Sequence, residues 1–355
     1  MVPVKAPPKS PGIVRRHPEL RWLASALLIG GVIVAVGTSL SGEFRDKPGL
    51  RATGPEQLVS EVKQPHAGGY VGTILAKVDL NLPHGVALAL AQEVPVGGAL
   101  LDGSHTMRYW YGGETRQRIA IIEQNAEQDV FRSGDRVLTW DTGTRTFERH
   151  VLDGSSRSLP LASTPAALTP PELAQRILAA SGSSTTTLRS GDEVAGRSTY
   201  ELVVQPKSSH SLIGSVHMLI DGDQSVPLAV QIYPRGSSEA AIDVAFTSIT
   251  FGAPQPRNFT FTPPAGARVR AGTSLSSAMF DTVGSGWLTV AGYRTSRPIA
   301  GGISALFGPS MLAVHGSWGS GQVYSRGALS VLVTRKGQIL VGAVDPSVLY
   351  RTVAH

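Results

Sequence analysis

The segment "SEVK", Ser60 to Lys63, has the hydroxyl and amine spacing of a serine nucleophile activated by a lysine. That chemistry also calls for a K-T-G element, and the chain has none. The other residue types that do chemistry are scattered. His210 and His217 are the closest pair among nine histidines, and on strands their spacing offers neither a shared metal nor a third ligand. Asp221 and Asp223 in "DGDQS" lack the further oxygen ligands of a calcium loop and read as the turn of a hairpin. "GSWGSG", Gly316 to Gly321, is glycine-rich, but a hairpin rather than a helix follows, so it lacks the helix start that cradles phosphate. Asp102, Glu114, Asp129, Asp135 and Asp141 fall near turns, where carboxylates serve backbone geometry and solubility. No nucleophile elbow, phosphate loop, H-E-x-x-H or dinucleotide fingerprint occurs. The expectation is a chain without catalytic residues, metal or cofactor. An envelope hydrolase using Ser60 or a turn acid is the remote alternative.

The elements that would position these residues are mostly strands. Charged residues make up 16% and hydrophobic ones 41% of 355 residues, and Gly and Pro are abundant, which favours a turn-rich β protein with a sizeable core. From Ser104 a meander runs through "SHTMRYWY", "TRQRIAII", "QDVF", "RVLTW" and "RTFERHVL", broken by short glycine turns that force antiparallel neighbours. Before it come a short helix after Pro55 with Leu58, Val59 and Val62 on one face, the strand "GGYVGTILAKVDLNLP", and an ambiguous stretch from His84 to Gly98. "LTPPELAQRILAASGSS" interrupts the strands with one amphipathic helix, capped by Thr169, lined by Leu173, Ile177 and Ala180, and stopped by Gly182. Strands resume from Thr185 to Phe251. The polar stretch 267–277 reads as a linker to a small α+β unit, 278–355, made of "GWLTVAGY", a short helix at "GGISALFG", a hairpin turning at Lys336-Gly337 and a terminal helix capped by Asp345.

Charge is concentrated at the start. The formal net charge is +6, yet Lys5, Lys9, Arg15, Arg16 and Arg21 against Glu19 place most of it in residues 1–21. No basic face interleaved with aromatics is legible in the rest, so nucleic acid is not an expected partner. Trp22 to Leu40 then runs without a charge, a length that as a helix nearly spans a bilayer core of about 30 Å. The basic flank predicts a cytoplasmic N-terminus and an extracytoplasmic bulk in a single-pass membrane protein, with 41–53 as linker. A cleaved signal peptide is the alternative. The chain has no cysteine, so neither a lipid-modified cysteine nor a disulfide framework is available and the fold must hold by packing.

With chemistry absent, the alternating apolar residues become the candidates for function. Leu202, Val204, Val216, Met218, Val230, Ile232, Val244 and Phe246 recur on one side of successive strands, and Trp110, Phe131 and Trp140 are large residues near the same sheet. These are the candidate ligand-binding positions. They are equally what an ordinary core would show. If they line a cavity, substitutions at Val230 or Met218 should matter and those at Lys207 or Arg235 should not.

The order and wording of "GGYVGTILAKVDLNLP", "LLDGSHTMRYWYGGETRQRIAII", "EQDVFRSGDRVLTWDTGT", "TPPELAQRIL", "VAGRSTYELVVQP", "VPLAVQIYP" and "AFTSITFGAPQPRNFTFTPPAG" resemble the LolA/RseB-like superfamily, especially the membrane-anchored LolA-like, lipoprotein-carrier-like proteins of actinobacteria. These segments span about residues 54 to 266. The resemblance implies a mainly β fold in which a highly curved antiparallel sheet, an unclosed half-barrel, wraps helices over an apolar cavity for lipid or lipoprotein acyl chains. It also implies that the region 278–355 is a small second domain able to contact a membrane protein partner. The RseB branch implies the alternative of a regulator that binds a transmembrane anti-sigma factor. The family has no universal ligand motif to transfer.

Overall fold

The computed structural model describes residues 39–40, 50, 53–64, 67–93, 98–151, 168–271, 281–294 and 306–353. Two open sheets account for most of them.

The first sheet has thirteen strands. After β1 (Ser39–Leu40) come β2 (Tyr70–Asp79), β3 (Asp102–Tyr111), β4 (Arg116–Ile122), β5 (Glu127–Ser133), β6 (Arg136–Asp141) and β7 (Thr146–Val151). They continue with β8 (Ser184–Ser190), β9 (Thr199–Pro206), β10 (Ile213–Asp221), β11 (Pro227–Pro234), β12 (Ile242–Phe251) and β13 (Arg268–Ala271). Their order is β1-β8-β9-β10-β11-β12-β2-β3-β4-β5-β6-β7-β13, so among the described residues the two ends pair with no further strand and the barrel stays open. All pairings are antiparallel except the two outermost, β1 with β8 and β13 with β7. Register shifts at Ile213/Ser215 and at Phe246/Ser248 place bulges in the sheet, which bend it. At the second bulge Gly72 is required, because a Cβ there would lie 2.6 Å from the Phe246 ring.

Helices cover the inner face. α1 (Pro55–Lys63) buries Leu58 and Val62, and α3 (Pro170–Ala180) buries Leu173, Ala174, Ile177 and Leu178. α2 (His84–Glu93) resolves the stretch whose sequence was ambiguous. Thr169 occupies the expected N-cap position of α3 but makes no side-chain capping bond, so prolines at the first positions start the helix by fixing φ.

The second sheet is ordered β14 (Asp281–Val283), β15 (Val290–Arg294), β19 (Gln338–Gly342), β18 (Leu329–Thr334), β17 (Gly319–Arg326), β16 (Leu312–Gly316). α4 (Pro346–Val353) packs on it, capped by Asp345, which accepts from the Ser347 N–H at 2.9 Å. The expected hairpin at Lys336-Gly337 forms, and Gly327, with φ 55°, adds a second turn before it. "GSWGSG" is the turn between β16 and β17, with Trp318 stacked on Tyr350 at 5.8 Å.

Two expectations need amendment or fall elsewhere. Most of the span expected to cross a membrane, residues 22–38, lies outside the described residues, and its last two residues are strand β1 rather than helix. Among the described residues no helix is long and apolar enough to cross a membrane. Arg268–Ala271, expected in a linker, instead extends the first sheet as β13.

Candidate functional site

Period-two alternation sends one set of side chains from each strand of the first sheet inward and the other outward. Seven of the predicted binding residues, Leu202, Val204, Val216, Met218, Val230, Val244 and Phe246, join a single buried cluster on the inner face, and Ile232 packs against it. Cross-strand register explains why. Leu202 faces Met218, Met218 faces Val230, Val230 faces Val244, and Phe246 faces Ile74. The cluster continues through Met107, Ile119 and Ile121 and is roofed by Leu173, Ala174, Ile177 and Leu178 of α3. Met218 and Val230 are fully buried beneath that roof.

Trp110, Phe131 and Trp140 are not brought to this face. Trp110 alternates with the inward Tyr109 and packs outside with Ala120 and Phe259. Phe131 and Trp140 lie 5.3 and 5.4 Å from Phe261, which also stacks on Phe147 at 5.8 Å. A segment following β12 therefore straps the outer face with Phe259 and Phe261, and a Cβ on Gly112 would come within 2.9 Å of Phe259. The sequence placed these aromatics by size. Their parity relative to Tyr109 and Val130 was the signal that separates them.

Beneath the strap, Arg118 lies over Trp110 at 4.5 Å and Phe131 at 4.8 Å while its Nε donates to Asp129 at 2.8 Å. Burial pushes the Asp129 carboxyl up to about 6 even against the pull of Arg118. This ion pair sits on the face opposite the apolar cluster.

The inner face is not uniform. At its edge toward the β3–β4 and β5–β6 turns it becomes polar: Tyr70 stacks on Tyr111 at 4.9 Å and meets Tyr109 edge-on at 5.7 Å. Burial raises the Tyr70 and Tyr109 hydroxyls well above the ordinary phenol range, with nearby tyrosines and Glu172 adding to it. Glu172 of α3 holds Arg176 at 2.6 Å. Burial also lowers the Arg132 guanidinium, countered by Glu114, Glu172 and Tyr109.

One constellation has the order of a hydrolytic relay. Glu201 lies 2.7 Å from His217 Nδ1, and Nε2 of the same ring lies 3.2 Å from Ser215 Oγ. Burial would raise the Glu201 carboxyl, but its bonds to Arg189 and His217 outweigh this and hold it below the usual range. The chain lies on the outer face of β8 to β10, where Arg189 takes both Glu201 oxygens. The neighbouring cation Arg235 donates to the carbonyls of Ser208, Ser211 and Ile213. These are the cross-strand polar contacts that stabilise a sheet surface. Ser60 is exposed on α1. Asp221 is used structurally: it pairs with Arg197 and accepts from the N–H groups of Asp223 and Gln224 in the turn.

The second sheet closes one end of the first. Trp287, Ala328 and Ala343 enter the inner cluster, and Trp287 Nε1 donates to Ser184 Oγ at 2.7 Å. Backbone bonds Leu212 to Ala343 at 2.9 Å and Asp345 to His210 at 2.8 Å lock the β9–β10 loop to the β19–α4 corner.

No family model matches the sequence, and no curated protein matches it. Among solved structures, the chain is similar to MucB in the MucA/MucB complex of Pseudomonas aeruginosa, at 18% identity over 84% of this chain and 95% of that one, with a TM-score of 0.43. A LolA superfamily protein from Nitrosomonas europaea is similar at 9% identity over 59% of this chain and 99% of that one, with a TM-score of 0.26.

Proposed function

We propose that this chain is a non-catalytic extracytoplasmic protein, held to the membrane through the apolar segment that starts at Trp22 and precedes β1, that binds lipid or a lipoprotein acyl chain on the inner face of the half-barrel. The observation carrying this reading is the contiguous apolar surface from β8 through β4, roofed by single helices rather than by a second sheet. Burying an acyl chain there gains about 0.8 kcal/mol per CH₂, roughly 10 kcal/mol for a long chain before ordering costs, and requires no polar cluster. Because α3 occupies the face, uptake requires α3 to lift from β11 and β12.

The test is native mass spectrometry and lipid extraction on the full chain purified from membranes. Stoichiometric acyl lipid in the wild type, lost in Val230→Trp and retained in Lys207→Ala, is the expected result. A folded wild type that carries none and takes up none overturns it. Overpacking a core costs about 1–3 kcal/mol, so circular dichroism accompanies the tryptophan variant.

A regulator that binds a membrane protein, such as an anti-sigma factor, is the second reading. It is favoured by the outer edge of β16 in the second sheet, which pairs with no further strand among the described residues and where Leu312 is 68% exposed. MucB has been solved with MucA. A copurifying membrane protein in place of lipid supports that reading.

A further inference from the structure

The outer face of β4 to β7 carries two neighbouring rows that differ in what covers them. Pairing places Arg118 opposite Phe131, Phe131 opposite Leu138 and Leu138 opposite Arg149, and the row two residues along holds Arg116, Ser133, Arg136 and Val151. The strap lies on the first row, where Phe261 meets Phe131, and Arg118 is paired there with Asp129 and Glu127. In the second row Arg116, Ser133, Arg136 and Val151 are all exposed, as is Arg149 beside them. The edge strand β13 adds the exposed Arg268 and Arg270 on either side of Val269. Among the described residues none of Arg116, Arg136, Arg149, Arg268 and Arg270 has a carboxylate within salt-bridge distance. Arg116 donates to the Gly112 carbonyl at 3.3 Å, and Arg149 lies over Phe147 at 5.3 Å. Glu114 and Asp135 sit in the adjoining turns, and Glu148, opposite Arg270, lies 3.4 Å from His150.

We infer that this strip, from Arg116 to the β13 edge, is a membrane-docking surface that lies on an anionic phospholipid bilayer. It goes beyond the lipid-binding reading and stands whether or not the inner face takes an acyl chain. Charge complementarity selects the occupant. The planar fork of arginine matches phosphate oxygens, and an anionic lipid surface presents them side by side to several guanidinium groups at once. The apolar groups between the arginines are aliphatic: Val151 is 53% and Val269 62% exposed. Such groups enter the boundary between head groups and acyl chains once the charges have brought the face to the surface. Nucleic acid would also meet the arginines, but its bases stack on aromatic faces. Here Trp110, Phe131, Trp140 and Phe147 are packed against Phe259 and Phe261 of the strap.

The chain has no cysteine, so Val269→Cys accepts a single environment-sensitive fluorophore, with Leu312→Cys on the second sheet as the reference position. The labelled full chain is placed in nanodiscs of phosphatidylcholine, or of phosphatidylcholine with phosphatidylglycerol, and is mixed with the same discs if it does not insert. The expected result is a blue shift of the label at residue 269 in the anionic discs alone, with none at residue 312. Salt at about 1 M, where the screening length falls to about 3 Å, should reverse it. Arg136→Gln together with Arg149→Gln should lower the docked-to-undocked ratio roughly twenty-fivefold, each arginine near such a surface being worth about fivefold. Arg268→Gln together with Arg270→Gln should do the same, and stands in if taking Arg149 off the Phe147 ring disturbs the fold by circular dichroism. Equal emission in neutral and anionic discs overturns the inference, as does a shift in anionic discs that the substitutions leave unchanged. A label that responds to a soluble oligonucleotide but not to anionic discs makes the strip a polyanion site and overturns it as well. Lipid retention by the inner face is read separately, in the Val230→Trp comparison.

Discussion

Asp129 shows how much an environment can change a residue that sequence places in a turn. It is buried on the outer face beside Arg118 and Glu127, and burial pushes its carboxyl up to about 6. The folded protein therefore holds a proton there that the unfolded chain has released, so the stability due to Asp129 is full below about 4 and is lost as pH rises through about 6. Asp129→Asn removes that dependence. The difference in Tm, variant minus wild type, should grow from pH 4 to pH 7 when measured by thermal circular dichroism, and a constant difference would show that the carboxyl titrates normally. Arg235 carries the opposite lesson. Its exposed position reads as dispensable, yet its guanidinium gathers the carbonyls of Ser208, Ser211 and Ile213. It is no neutral control for ligand binding, because these bonds shape the loop on which the second sheet docks.

Among the elements, the strap after β12 was read as the end of the half-barrel and is a clamp across its outer face. Phe261 stacks between strands β5, β6 and β7, and Phe259 fills the space left by the missing side chain of Gly112. Phe261→Ala should cost roughly 2 kcal/mol, less than the ~3–5 of a fully buried phenylalanine because the ring is only half-buried. Urea titration measures it. A change near zero would show that β13 pairing alone holds the segment. Element types were otherwise legible where local rules act: α1 and α3 start at prolines, α4 at Asp345, and the meander turns at its glycines. The stretch from His84 to Gly98 is ambiguous in sequence because it is rich in Gly and Pro, while the alanine and leucine within it favour the helix α2.

At the scale of the whole molecule, the second sheet acts as an end wall of the first. Trp287 is 4% exposed, sits in the other sheet's core and donates to Ser184. Trp287→Ala should cost about 3–5 kcal/mol of docking and split calorimetric unfolding into two transitions. A single transition at the wild-type temperature would mean that the backbone bonds around Ala343 and Asp345 suffice. The amino-acid sequence by itself determined the β-rich class, the strand alternation and the inward set from Leu202 to Phe246, because period, proline and glycine act over a few residues. Only the tertiary structure decided that Trp110, Phe131 and Trp140 turn outward, that Arg132 and the tyrosines share one row, and that Trp287 closes the barrel end. These depend on register and on contacts between residues far apart in the sequence, such as Trp287 and Ser184, 103 positions apart, and a one-residue slip of a strand would reverse every one of its side chains.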